Sequence, residues 1–129
     1  MAGGRTWQAG DMPSRVLIVD DHERFRRTAR RVLEADGWIV VGEAADGEGA
    51  IRAVRTIDAD VVLLDVGLPD ISGLEVARRL LEQLPMLAVV LVSTHDSADY
   101  RDLALANGAR GFLAKAALSG PALEQVLAI

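Results

Sequence analysis

Val61-Val62-Leu63-Leu64-Asp65 is the stretch that decides the fold: four branched apolar residues in a row, closed by a carboxylate. A strand with one face in water alternates apolar with polar residues. An unbroken apolar run of this length fits a strand covered on both faces, as in a parallel sheet flanked by helices. The same design recurs on either side. Val16-Leu17-Ile18-Val19 is followed by Asp20-Asp21, and Gly111-Phe112-Leu113-Ala114 by Lys115, the one lysine among 14 basic residues. Strands of a parallel sheet end side by side, so three acids and one ammonium converge at one rim. Such a set suits a divalent metal and a phosphoryl group.

Between these runs, strand and helix patterns alternate. Residues 15–19 form the first strand. Residues 21–36 carry Phe25, Ala29, Val32 and Leu33, the stripe of an amphipathic helix, and Gly37 sits where a left-handed cap is wanted. A second strand spans 39–44, and Asp46 caps a helix running to about Ile57. The third strand, 61–64, is the most buried. Beyond it lies a loop with Pro69, then Ser72-Gly73-Leu74-Glu75, a capping box opening a helix to about Leu84. Strand four is 88–92, and the helix at 97–107 stops at Gly108. Strand five is 110–114, and Pro121 pre-sets the first turn of a short last helix. Five strands alternating with five helices predict an α/β fold, with a parallel sheet, helices on both faces and right-handed crossovers. Ligands in such folds bind beyond the C-terminal strand ends, where strand order reverses.

Composition narrows the function classes. At 129 residues the chain makes one domain, and with 50% hydrophobic but only 4% aromatic residues its core is built of Val, Leu, Ile and Ala. A net charge of −5 argues against nucleic-acid binding by this domain itself. The absence of cysteine excludes disulfides, thiolate metal sites and a Cys nucleophile, and fits a cytoplasmic location. No apolar run approaches the length of a membrane span. The Gly-rich start lacks a signal-peptide core. Residues 1–13 read as a poorly ordered leader or tag-like extension, with Met12 as a downstream start, and 14–129 as the folded domain.

The chemistry follows from the residue types. Mg²⁺ wants oxygen ligands, one or two of them carboxylates. Asp20 and Asp21 lie on a strand-to-helix turn, where one can face a metal directly and the other through water. The residues just after Asp65 can add a backbone carbonyl. Packed carboxylates repel one another and favour the protonated form unless a cation is present. Asp65 is a plausible carboxylate nucleophile, and Lys115 a compact charge for a phosphoryl oxygen. Ser93, leaving strand four, offers a hydroxyl, and only spacing prefers it to Thr94. Blander readings exist for each. Asp20 or Asp21 alone can cap the first helix, Phe112 can be core filler, and Lys115 a surface lysine. His22 and His95 read as solvent-facing loop or helix-start residues, and Arg24, Arg26, Arg27, Arg30 and Arg31 as a solvated face, with partner docking by some of them as the sharper alternative.

Taken together, these elements resemble the receiver domains of two-component response regulators. The resemblance covers about residues 14–128. It rests on Asp20-Asp21 after strand one, on Asp65 within Asp-Val-Gly-Leu-Pro-Asp-Ile-Ser-Gly, on Ser93 28 residues later, on Phe112, and on Lys115 22 residues beyond Ser93. Asp20-Asp21-His22 and Val40-Val41-Gly42-Glu43-Ala44 look most like the NarL/LuxR-type subgroup, whose members join the receiver to a helix-turn-helix DNA-binding domain. The resemblance implies a flavodoxin-like (βα)5 three-layer sandwich with strand order 2-1-3-4-5. It implies Asp65 as phosphoacceptor from a sensor histidine kinase. Asp21, Asp65 and the Gly67 carbonyl would ligate Mg²⁺, with Asp20 holding a bound water. Ser93 and Phe112 would form the switch, Lys115 would contact the phosphoryl group, and His95 would tune water access to it. Signal would emerge on the helix 4–strand 5–helix 5 face, a candidate homodimer interface. By the same resemblance, the domain is no enzyme beyond assisting its own phosphorylation and dephosphorylation.

Two departures stand out. Ala116 follows Lys115 where many receivers have proline, which predicts a trans bond and a looser loop. Gly67 contributes no side chain, which leaves the edge of the site open to water. The rivals are a pseudo-receiver that binds partners without phosphorylation and an aspartyl-nucleophile phosphatase. The intact Asp20/Asp21/Asp65/Ser93/Lys115 set counts against the first. The second needs a further Asp two residues after the nucleophile, where Gly67 stands. Glycine-rich dinucleotide and P-loop motifs are both missing.

Overall fold

β3 (Val61–Asp65) is buried along its whole length at the centre of a five-stranded sheet. It is flanked by β1 (Arg15–Val19) and β4 (Ala88–Ser93), with β2 (Ile39–Ala44) and β5 (Gly111–Ala114) at the edges. All pairs are parallel, and the order is 2-1-3-4-5, as the resemblance implied. The computed structural model describes residues 15–95 and 98–128. The expected leader at 1–13 and the helix start at Ser97 lie outside the described residues.

The helices are α1 (Glu23–Ala35), α2 (Gly47–Ala53), α3 (Gly73–Gln83), α4 (Ala98–Ala106) and α5 (Gly120–Leu127). Alternate strand side chains feed two separate cores. Leu17, Val19, Val62, Leu64, Val89 and Leu91 pack under α2, α3 and α4, while Val16, Ile18, Val61, Leu63, Val90 and Val92 pack under α1 and α5. Each fully buried Val, Leu or Ile contributes about 1.5–3 kcal/mol relative to exposure. The apolar runs that defined the strands therefore stabilise both layers at once. Gly37 (φ 93°) and Gly108 (φ 89°) take the left-handed conformation at helix ends.

Several boundaries differ from the sequence reading. The first helix begins at Glu23 rather than 21, because the Asp20 carboxylate takes the His22 N–H at 2.8 Å and holds 20–22 as a turn. α2 stops at Ala53 rather than near Ile57; Arg55 and Thr56 bond three residues back, which tightens the chain off the helix. Ser72 caps α3 through Leu74 N–H at 3.2 Å, but the expected capping box is only half formed: the Glu75 carboxylate pairs with Arg78 and Arg79. β5 begins at Gly111, with Arg110 N–H already on the Val89 carbonyl at 2.8 Å. The segment after Lys115 is a 3-10 turn, Lys115–Ala117, rather than a loose loop, and the described residues contain no cis bond.

Candidate acidic site at the strand ends

Burying a polar side chain is costly unless it is paired or useful. Among the described residues the buried polar side chains are Asp20, Asp65 and Ser93, all at the C-terminal strand ends. Asp20 follows β1 and is fully buried; Asp65 ends β3 and Ser93 ends β4. The sheet register brings them together. Asp65 pairs with Val92, and Ser93 pairs with Ala114, the residue before Lys115.

Lys115 reaches inward, with its Nζ 2.5 Å from Asp20 Oδ2 and 3.6 Å from Asp65 Oδ2. The same ammonium lies 4.5 Å from the centre of the Phe25 ring on α1, a cation–π contact that covers its outer side. Asp21 sits at the rim. Oxygens of Asp20, Asp21 and Asp65 and a nitrogen of His22 lie within 4.8 Å of one another. Three carboxylates against one ammonium leave two negative charges, which one divalent cation would cancel. Asp20 Oδ2 is buried and accepts no hydrogen bond; the Lys115 ammonium is its ion-pair neighbour. The donor set and this unsatisfied oxygen fit a hard divalent cation.

The Asp65 carboxyl is pushed above the usual carboxylate range, first by burial and then by the negative charge of Asp20. Burial outweighs the mutual repulsion that packed carboxylates lead one to expect. Lys115 and the Gly67 N–H, 3.3 Å from Asp65 Oδ1, act the other way. Gly67 itself is exposed, and a Cβ there would meet nothing within 4 Å. Gly73 is different. A Cβ on it would run into the Asp65 carbonyl oxygen and the Val66 Cα, because α3 starts directly on that backbone. Its N–H donates to the Val66 carbonyl at 2.8 Å.

The hydroxyl expected at 93 is the buried one; Thr94 is exposed. Ser93 Oγ accepts the His95 N–H at 3.1 Å. Phe112 is buried and stacks on Tyr100 of α4, with ring centres 5.8 Å apart. His22 occupies the N-cap of α1 and is exposed, yet its Nδ1 lies 3.1 Å from Asp20 Oδ1 and 3.2 Å from Asp21 Oδ1. The expected solvated arginine face of α1 does not hold for Arg26, which is largely covered and turns toward Glu43 of β2; Arg30 also pairs with Glu43 but stays partly in solvent.

Three contributors were missed in the sequence. Phe25 was visible only as part of an apolar stripe. Arg26 donates to the Asp20 carbonyl at 2.6 Å. Asp70, quoted only as part of a motif, accepts from Gly47 N–H at 2.8 Å and Glu48 N–H at 3.0 Å, and these bonds hold its carboxyl below the usual range. It thereby ties the loop after Asp65 to the start of α2. A groove of about 560 Å³ between Val54–Ala59 and Leu84–Leu87 lies at the opposite, N-terminal end of the strands and is separate from this site.

Residues 16–127 match the family model described as the response regulator receiver domain. The response regulator GacA of Pseudomonas viridiflava is 41% identical over 104 residues, 80% of this chain and 49% of that protein. A LuxR-family two-component response regulator from Aurantimonas superposes with a TM-score of 0.79 at 31% identity, covering 88% of this chain and 81% of the other. The CheX–CheY–BeF3–Mg²⁺ complex of Borrelia burgdorferi matches with a TM-score of 0.75 at 25% identity, over 95% and 92% of the two chains. The chain spans about half the length of the curated relatives it matches.

Proposed function

The chain belongs to the response regulator receiver domain family, and we propose that within it the domain is a phosphorylation-dependent switch with Asp65 as phosphoacceptor. The observation that carries this reading is the burial of Asp65 beside Lys115 and two further acids, with a hydroxyl on the next strand. An Asp65 carboxylate oxygen attacks the phosphorus of a histidine kinase's phosphohistidine; the O–P bond forms, the P–N bond breaks, and the imidazole leaves with that electron pair and takes a proton from solvent. Positioning and charge neutralisation account for most of such a transfer. Asp21, Asp65 and the Gly67 carbonyl would hold Mg²⁺, with Asp20 orienting a bound water. When bound, the cation supplies positive charge opposite the phosphoryl oxygens. The likeness to a CheY carrying BeF3 and Mg²⁺ supports that choice of ion.

Lys115 and Ser93 then contact the phosphoryl oxygens. The added charge, about 1.5 to 2 negative units, is enough to bias an element poised between two packings. Ser93 moves toward it, Phe112 and Tyr100 repack, and the change is read on α4, β5 and α5. Leu103 and Leu105 on α4 are 43% and 54% exposed, which supports this face as the homodimer surface. The likeness to GacA and to a LuxR-family regulator supports placement of the domain N-terminal to a DNA-binding domain, and we place it in the cytoplasm as part of the same proposal. The domain itself catalyses nothing beyond its own phosphorylation and dephosphorylation.

The test is beryllofluoride with Mg²⁺, read by amide NMR and light scattering. Mg²⁺-dependent shifts at Asp65, Ser93, Phe112 and Lys115, with a rise in mass, are expected. Wild-type spectra unmoved by beryllofluoride would reject the reading.

A further inference from the structure

Arg26 is one of seven arginines and glutamates on α1, residues that a helix surface ordinarily offers to water, yet its side chain is only 17% exposed. Its Nη1 donates to the Asp20 carbonyl at 2.6 Å, and its Nε to Glu43 Oε1 at 3.0 Å. Glu43 is held from its other oxygen by Arg30, at 2.8 Å, and Arg30 is braced by Glu34 at 3.3 Å. The next residue, Ala44, accepts the Asp20 N–H on its carbonyl at 3.0 Å. A closed ring results: Asp20 C=O to Arg26, Arg26 to Glu43, Ala44 C=O back to Asp20 N–H. The register shift between Val16 and Leu17 is what brings Glu43 and Ala44 level with the end of β1.

The carbonyl that Arg26 grips belongs to the peptide joining Asp20 to Asp21. Fixing that peptide plane fixes the direction in which Asp21 leaves the turn. We propose that Arg26 is a positioning residue for cation binding: it orients the Asp20–Asp21 peptide so that Asp21 faces Asp65. The inference rests on the reading of this site as a divalent-cation site.

Two effects oppose each other, which gives the test its sign. A guanidinium near the acids repels a cation, so removing it by charge alone would tighten binding. Loss of a group that orients a ligand costs about 10- to 100-fold in metal affinity. If positioning dominates, Arg26→Met, which keeps an apolar stem, weakens Mg²⁺ binding by about tenfold. Arg26→Lys keeps the charge but lacks the planar fork, so it restores only part of the affinity. Glu43→Ala removes the anchor, leaves Arg26 in place, and weakens binding by a smaller factor.

The experiment is a calorimetric Mg²⁺ titration of the whole chain and these variants, beside thermal unfolding without metal. Weaker Mg²⁺ binding in Arg26→Met and Glu43→Ala, at metal-free melting midpoints close to wild type, supports the proposal. Unchanged or tighter binding in both, or full rescue by lysine, overturns it. Should Arg26→Met fail to fold, Glu43→Ala decides alone. A wild type that takes no Mg²⁺ would instead reject the cation-site reading beneath it.

Discussion

At the scale of single residues, Lys115 and Asp65 carry opposite costs. Asp65 binds its proton more tightly in the folded chain than in the unfolded one, since burial raises its carboxyl above the ordinary 3.8. Linkage then fixes the sign. Stability falls as pH rises from the ordinary value through the raised one, so ionising Asp65 is a net burden on the metal-free fold. Asp65→Asn is therefore expected to raise the metal-free melting temperature at pH 7, with the gain vanishing below the ordinary carboxylate range. Thermal unfolding across pH checks this, and a lower melting temperature at pH 7 would contradict it. Lys115→Met removes the ammonium that Asp20 and Asp65 share, and should destabilise the metal-free domain at neutral pH. It should spare phosphorylation more than switching. Equal loss of both, by labelling and by NMR of Phe112, would mean that Lys115 is misassigned.

Individual elements determine how firmly those residues are held. α3 starts on the backbone that follows Asp65, and Gly73 is the point of contact. Alanine within a helix usually gains roughly 0.5–1 kcal/mol over glycine. Here its Cβ has nowhere to go, and overpacking costs about 1–3 kcal/mol. Gly73→Ala should thus destabilise the domain and shift Asp65, visible as a lower denaturation midpoint and altered Asp65 and Gly67 amide resonances. A neutral Gly73→Ala would mean α3 is free to slide. Asp70 adds a brace of opposite pH sign to Asp65. Its carboxyl is held below 3.8 by Gly47 and Glu48, so its contribution is complete above that value and is lost as pH falls through the lowered one.

For the molecule as a whole, much was legible because the strands carry the chemistry at their ends. Asp65 and Lys115 each follow an apolar run, and parallel strands place such ends together without any knowledge of the helices. Strand order needed the family resemblance. The missed residues share a physical cause. Arg26 sits on the polar side of an amphipathic helix, and periodicity assigns that side to water. Whether its long side chain bends back over the β1–β2 end depends on the twist of the sheet and the register shift at Leu17, which no local pattern shows. Asp70 reaches Gly47, a partner 23 residues away. The end of α2 was missed because Ile57 continues an apolar stripe in sequence, while in space it packs beside Gly42.

Every step proposed for this domain depends on Asp65 becoming an acyl phosphate. The direct measurement is to incubate the chain with Mg²⁺ and a small phosphodonor, reduce with borohydride, and map the product by peptide mass spectrometry. Reduction converts an aspartyl phosphate to homoserine, so homoserine at position 65, absent without Mg²⁺, is the predicted result. Homoserine at another acid, or equal phosphoryl labelling of Asp65→Ala, would contradict it.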